Sequence, residues 1–227
     1  ELTDLSELSC LTSVEGNLVI DNNASLVSLH GLDSLTFVGG SLLIGGSAYI
    51  GYDGNPVLAS IEGLSALTAV GELYIATNAA LPSLAGLEGL TTVGGYLGIE
   101  GNSSLVSLAG LEGLSGGLVG PVYISYNDAL TSMEGLDSLT SVQDSFYIGY
   151  SPALTSLEGL GALTSIGGNF SVNECDALVS LEGLAALTSV GGYFTVSDDA
   201  LLTSLEGLEA LSAVQGEFFI AYNGSMT

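Results

Sequence analysis

The sequence predicts an all-β parallel solenoid of about nine coils, each of about 24 residues. Two regularities carry that expectation. The dipeptide Gly-Leu returns at Gly31, Gly63, Gly86, Gly110, Gly135, Gly159, Gly183 and Gly207, and from Gly135 onward the interval is 24 without a slip. Between these marks the apolar residues fall into the same columns in coil after coil, which is how stacked repeat architectures read in sequence.

One coil displays the columns: Leu154, Leu157, Leu160, Leu163, Ile166, Phe170 and Val172. Intervals of three suit tight turns, and the alternation of Phe170 with Val172 suits a strand with one buried face. No α-helical period is present. Paired glycines, Gly39-Gly40, Gly94-Gly95, Gly167-Gly168 and Gly191-Gly192, are expected to supply positive φ at a sharp corner. A single coil cannot bury its own apolar face, so the coils must stack, each placing its strand beside that of its neighbour. At roughly 4.8 Å per coil the stack would be about 40 Å long.

The coils are not identical. Residues 45–55, GGSAYIGYDGN, carry the eight extra residues of the 32-residue interval between Gly31 and Gly63, and should form an insertion loop. The whole chain, 1–227, is expected to be one repeat domain. Because it opens on Glu1 without a basic and apolar leader, it is expected to be a mature chain or a segment of a longer protein.

The charge is one-sided: 25 Asp and Glu residues face no Lys or Arg, for a formal net charge of -25. Binding to nucleic acid or to an anionic membrane surface rests on basic contacts, so neither is expected as a partner. Cys10 and Cys175 would lie about 30 Å apart in the stack at that coil spacing. A disulfide needs Cα atoms within about 7 Å, so the two cannot bridge.

The run Gly95-Tyr96-Leu97-Gly98-Ile99-Glu100-Gly101-Asn102-Ser103-Ser104-Leu105 resembles the strand-and-asparagine segment of leucine-rich repeats. The whole unit, Leu-x-Ser-Leu-x-Gly-Leu followed by Val-Gly-Gly-x-Leu-x-Ile, is similar to the receptor L domain, the right-handed β-helix of growth-factor receptor ectodomains and fungal surface proteins. The resemblance covers essentially the full chain. It implies a right-handed β-solenoid, an extracellular or cell-surface location and a ligand-binding or surface role, with no catalytic residues in the motif.

Two columns read as architecture. Asn23, Asn55, Asn78, Asn102, Asn127, Ser151, Cys175, Asp199 and Asn223 occupy one position after the strand, where inward amides would hydrogen-bond the backbone of successive coils. The serines Ser28, Ser60, Ser83, Ser107, Ser132, Ser156, Ser180 and Ser204 are equivalent to one another, so none stands out as a nucleophile. The only histidine, His30, sits in a column otherwise held by Glu or Ala. With no base, nucleophile and orienting group together, the chain is expected not to be an enzyme.

Function is therefore expected in the outward columns. Tyr74, Tyr123, Tyr147 and Phe219 form one aromatic row on the strand face, and Tyr126, Tyr150 and Tyr222 a second; together they are the candidate contact surface for a protein or glycan partner. The alternative is an ice-binding surface built from Thr12, Thr36, Thr68, Thr91, Thr140, Thr164 and Thr188. Glu134, Glu158, Glu182 and Glu206, with Asp53 in the insertion, are weak calcium candidates, since stacked carboxylates without a base repel one another. No other cofactor is expected. Asn169 heads the most accessible Asn-x-Ser/Thr triplet and is the candidate glycosylation site. End-to-end self-association through open coil edges is a further expectation.

Overall fold

The computed structural model describes residues 2–46 and 54–224. It is a parallel β-solenoid. Its principal sheet stacks the strands Leu18–Ile20, Phe37–Gly45, Ala69–Ala76, Leu97–Glu100, Val122–Ser125, Phe146–Gly149, Phe170–Asn173, Phe194–Ser197 and Phe218–Ala221, every neighbouring pair parallel. A second, narrower sheet runs through Gly116–Leu118, Leu139–Val142, Ser165–Ile166, Ser189–Val190 and Ala213–Val214. Helical structure among the described residues amounts to single 3₁₀ turns at Ser6–Leu8, Glu62–Leu64 and Glu182–Leu184. None of these helices is long and apolar enough to cross a membrane.

All seven apolar columns point inward. In the coil read above, Leu154, Leu157, Leu160, Leu163, Ile166, Phe170 and Val172 are each at most 1% exposed. They belong to one continuous core that extends from Leu5 to Leu202. Four phenylalanines, Phe146, Phe170, Phe194 and Phe218, follow one another up a single column with ring centroids 5.9, 5.3 and 5.0 Å apart, the first three buried and Phe218, in the last coil, half exposed.

The asparagine column is the hydrogen-bond spine. Asn102 Oδ1 accepts the backbone N–H of Asn78 at 3.2 Å, and its Nδ2 donates to the Ile75 carbonyl of the preceding coil at 2.9 Å. Asn55, Asn78 and Asn127 repeat this arrangement. Ser151 substitutes with a hydroxyl that accepts from Asn127 N–H and donates to the Gly149 carbonyl. The serine column makes a local turn, in which Ser60, Ser132, Ser156 and Ser204 each accept the N–H of the glutamate two residues on.

The glycine pairs have a different cause from the one expected. No member of Gly39-Gly40, Gly94-Gly95, Gly167-Gly168 or Gly191-Gly192 lies in the left-handed region. Crowding explains most of them: a Cβ on Gly191 would sit 2.1 Å from the Gly167 carbonyl oxygen of the coil below. Among the described residues positive φ falls instead mainly at two other places: the Gly-Leu turn, on Gly31, Gly86, Gly110, Gly135, Gly159 and Gly207, and the corner that ends the strands, on Asn22, Thr77, Tyr126, Tyr150, Glu174, Asp198 and Tyr222 as well as on Gly45 and Gly101. Each such non-glycine residue costs about 1 kcal/mol or more, and the stacking of adjacent coils holds it there.

Asp199 is the weak rung. Its Oδ1 accepts the Cys175 N–H at 2.8 Å, but Oδ2 is buried without a partner where the asparagines carry an amide donor. Burial pushes its carboxyl up to about 7, and the neighbouring carboxylates of Asp176, Asp198 and Glu174 push the same way. An acid whose folded pKa exceeds its unfolded value, about 3.9, stabilises the fold fully below that value. The contribution is then lost as pH rises from about 4 to about 7.

Two stability predictions follow from this spine. Asn102→Ala strands the buried Asn78 N–H and Ile75 carbonyl and should lower the unfolding free energy by about 2–4 kcal/mol in urea titrations. Asp199→Asn should raise stability above pH 7 by about 1–3 kcal/mol by supplying the missing donor. The same variant should flatten the stability profile between pH 4 and 7; an unchanged profile would assign that slope to other carboxylates.

Candidate aromatic platform

The outward side of the principal sheet reads, coil by coil, Val19, Leu43, Tyr74, Gly98, Tyr123, Tyr147, Ser171, Thr195 and Phe219. The gap at Gly98 is filled from elsewhere. Tyr96, two residues upstream, lays its ring across that glycine, where a Cβ would meet Tyr96 Cε1 at 2.3 Å and Tyr74 Cδ2 at 2.5 Å. The result is a ladder Tyr74, Tyr96, Tyr123, Tyr147 with successive centroids 5.7, 5.4 and 5.8 Å apart. Tyr96 was absent from the candidates read in the sequence. The signal was there in the glycine that interrupts the aromatic row and the tyrosine just before it.

A second row stands at the positive-φ corner. Tyr126 and Tyr150 stack with centroids 4.4 Å apart and rings 2° from parallel. Between the two rows lies a concavity of ≈ 560 Å³, bordered by Glu72 and Glu100 as well as by the rings. The Tyr96 hydroxyl donates to Glu100 Oε1 at 2.6 Å, and the Ser41 hydroxyl donates to Glu72 Oε2 at 2.7 Å. Burial, then the Glu100 contact, pushes the Tyr96 hydroxyl far above the ordinary phenol range. Burial pushes Tyr147 up to about 12. The Tyr150 hydroxyl is raised by its hydrogen bond to Glu174 and by that carboxylate's charge.

The structure brings together five of the seven aromatic residues expected to act as one surface. Phe219 and Tyr222 stand apart, separated from the rings by Ser171 and Thr195 in one column and by Glu174 and Asp198 in the other. Both are exposed near the C-terminal end, Tyr222 at 79%.

The other candidate rows are placed as follows. Thr12, Thr36, Thr68, Thr91, Thr140, Thr164 and Thr188 are exposed and in line. The hydroxyls of Thr36, Thr68, Thr91, Thr164 and Thr188 donate to the carbonyl of the threonine one coil below at 2.9–3.2 Å. Glu134, Glu158, Glu182 and Glu206 are exposed. Among the described residues, no group of three or more His, Cys, Asp or Glu side chains is placed to hold a metal ion. Asp53 lies outside the described residues. Asn169 is exposed, and its Oδ1 accepts the Tyr193 N–H of the next coil at 2.8 Å. Cys10 is exposed and Cys175 buried, both free; burial pushes the Cys175 thiol up to about 12.

A further acidic column lies at the Gly-Leu turn. Asp33, Glu88, Glu112, Asp137 and Glu209 each accept the N–H of the Gly-Leu glycine two residues earlier. These carboxylates serve the turn.

Fold and face together define a class, a repeat-built β-solenoid bearing a confined tyrosine platform. Comparison of the chain with protein-family models, with curated proteins and with solved structures finds no match.

The buried hydroxyls give a direct check on the platform. Spectrophotometric titration should show a late-ionising tyrosine component, with Tyr147 near 12. Tyr96→Phe should remove one late-titrating hydroxyl, and a single homogeneous transition would contradict the packing described.

Proposed function

We propose that the chain is a non-enzymatic binding protein of an extracellular or cell-surface setting, of the receptor L domain kind, which docks a partner on its tyrosine face. The observation that carries this is the clustering of the rings: Tyr74, Tyr96, Tyr123 and Tyr147 occupy four successive coils and border one concavity, while the outward strand column holds Val19 and Leu43 before them and Ser171 and Thr195 after them, with Phe219 alone at the last coil. Tyrosine offers a large apolar face with a polar tip at low entropic cost, which suits recognition of proteins and glycans alike. The net charge of -25 disfavours nucleic acid and anionic membranes.

The test uses the protein's own chromophores. It has no tryptophan, so its fluorescence comes from tyrosine and responds to occupancy of the face. Ligands captured on arrays of peptides and glycans should change that emission. Tyr123→Ala should weaken them by about tenfold or more, the loss typical of a central aromatic contact. Ligands that bind Tyr123→Ala and Tyr147→Ala as tightly as the parent would move the function off this face.

Ice binding remains the second reading, favoured by a threonine row that is exposed along nearly the whole stack. Thermal hysteresis at high protein concentration that disappears in Thr164→Lys would support it over the tyrosine face. No hysteresis would remove it.

A further inference from the structure

The platform reading leaves its ligand chemistry open, and the lining of the groove narrows it. The side chains around the concavity are tyrosines, two serines, a leucine and two glutamates; none carries an N–H group. The hydroxyls of Tyr96 and Ser41 are already directed at Glu100 and Glu72. The groove therefore presents aromatic surface, the hydroxyls of the remaining tyrosines and Ser125, and two carboxylates; every polar group on it can accept a hydrogen bond, and no Lys or Arg in the chain neutralises its charge. The chemical complement is a cationic group that only donates hydrogen bonds.

The corner row adds a shape. Thr77, Gly101, Tyr126, Tyr150 and Glu174 follow one another at the same left-handed position. Tyr150 covers one face of the Tyr126 ring. On the other side the equivalent residue is Gly101, which has no side chain, and Tyr126 is 48% exposed. One coil repeat, about 4.8 Å, separates the two levels, enough for one planar group to lie on the ring. Glu100, adjacent in sequence to Gly101, borders the same groove.

Resting on the platform reading, we infer that the slot above Gly101 receives the guanidinium of an arginine on a partner polypeptide. The guanidinium stacks on Tyr126 and pairs with Glu100, and the flanking chain lies along the tyrosine ladder. Arginine fits better than lysine because its head is planar, stacks on aromatic faces and is more weakly hydrated. The ladder's three centroid steps of 5.7, 5.4 and 5.8 Å match the reach of about five extended residues.

A protein of this charge attracts any cation, so the test must separate the slot from bulk attraction. A short glycine-arginine peptide is titrated at about 0.15 M salt, where the screening length is about 8 Å, with tyrosine emission as the readout. Its lysine and citrulline counterparts are run beside it. The arginine peptide should bind about tenfold tighter than citrulline and measurably tighter than lysine. Gly101→Tyr fills the slot with a residue that the next two coils already hold at φ 57 and 49, so the fold should survive. It should weaken the arginine peptide about tenfold, as should Glu100→Gln, while Glu158→Gln on a different face should not. Equal binding of the three peptides, no binding of the arginine peptide, or indifference to both groove variants overturns the inference. If instead a neutral oligosaccharide such as cellohexaose binds the parent and is lost in Tyr123→Ala, arginine is wrong and the platform stands.

Discussion

Each coil lies one strand spacing above the last, and most of the sequence answers to that distance. A Cβ at Gly159 would sit 2.0 Å from the Met133 carbonyl oxygen, and one at Gly183 would sit 2.0 Å from that of Leu157. Gly159 adopts φ +106, whereas Gly183, within a 3₁₀ turn, does not enter the left-handed region. The glycine is thus common to both backbone conformations, and what the two coils share is the nearness of the coil below. The asparagine spine has the same origin. Only where carbonyls and N–H groups of adjacent coils approach at a fixed spacing can one amide serve both neighbours, its oxygen accepting from one coil while its NH₂ reaches the carbonyl of another; the Ser151 hydroxyl accepts and donates in the same column over a shorter reach.

This constraint also divides the acidic residues. Asp33, Glu88, Glu112, Asp137 and Glu209 tie down a glycine N–H, a role a carboxylate fills without any basic partner. Glu72 and Glu100 accept from hydroxyls on their own face. Much of the negative charge is therefore held in place by neutral donors, which orient a carboxylate and leave its charge uncompensated. Asp199 marks the limit of that economy: in the interior, with one N–H donor and three acidic neighbours, it retains its proton toward neutral pH.

Legibility followed periodicity. The leucine columns, the inward amides and the equivalence of the serines were readable because each recurs and each has one physical explanation. The corner was misread because glycine has two uses, positive φ and absence of a Cβ, and composition does not say which applies. Here non-glycine residues such as Thr77 and Tyr150 take the positive φ, and paired glycines relieve crowding. The platform was readable in its outline but not in its membership. Phe219 shares a column with Tyr147, yet Ser171 and Thr195 hold that column in the two coils between them. Tyr96 belongs to a different column and still enters the ladder, because side-chain direction was decided by the empty space over Gly98.

That departure from period is the best guide to where function lies. A feature repeated in every coil is explained by stacking, as the threonine row illustrates: its hydroxyls bind the carbonyl one coil below, so the row would exist with no ligand at all. The tyrosine ladder is different. Stacking needs no ring on the outward face, since Ser171 and Thr195 continue the same strand column without one. Four rings in consecutive coils, one of them recruited across a glycine, with acidic residues beside them and a second pair at the corner, are more than the solenoid requires. In a molecule whose interior is determined by repetition, a local excess of aromatic surface of this kind is what recognition of a partner would need.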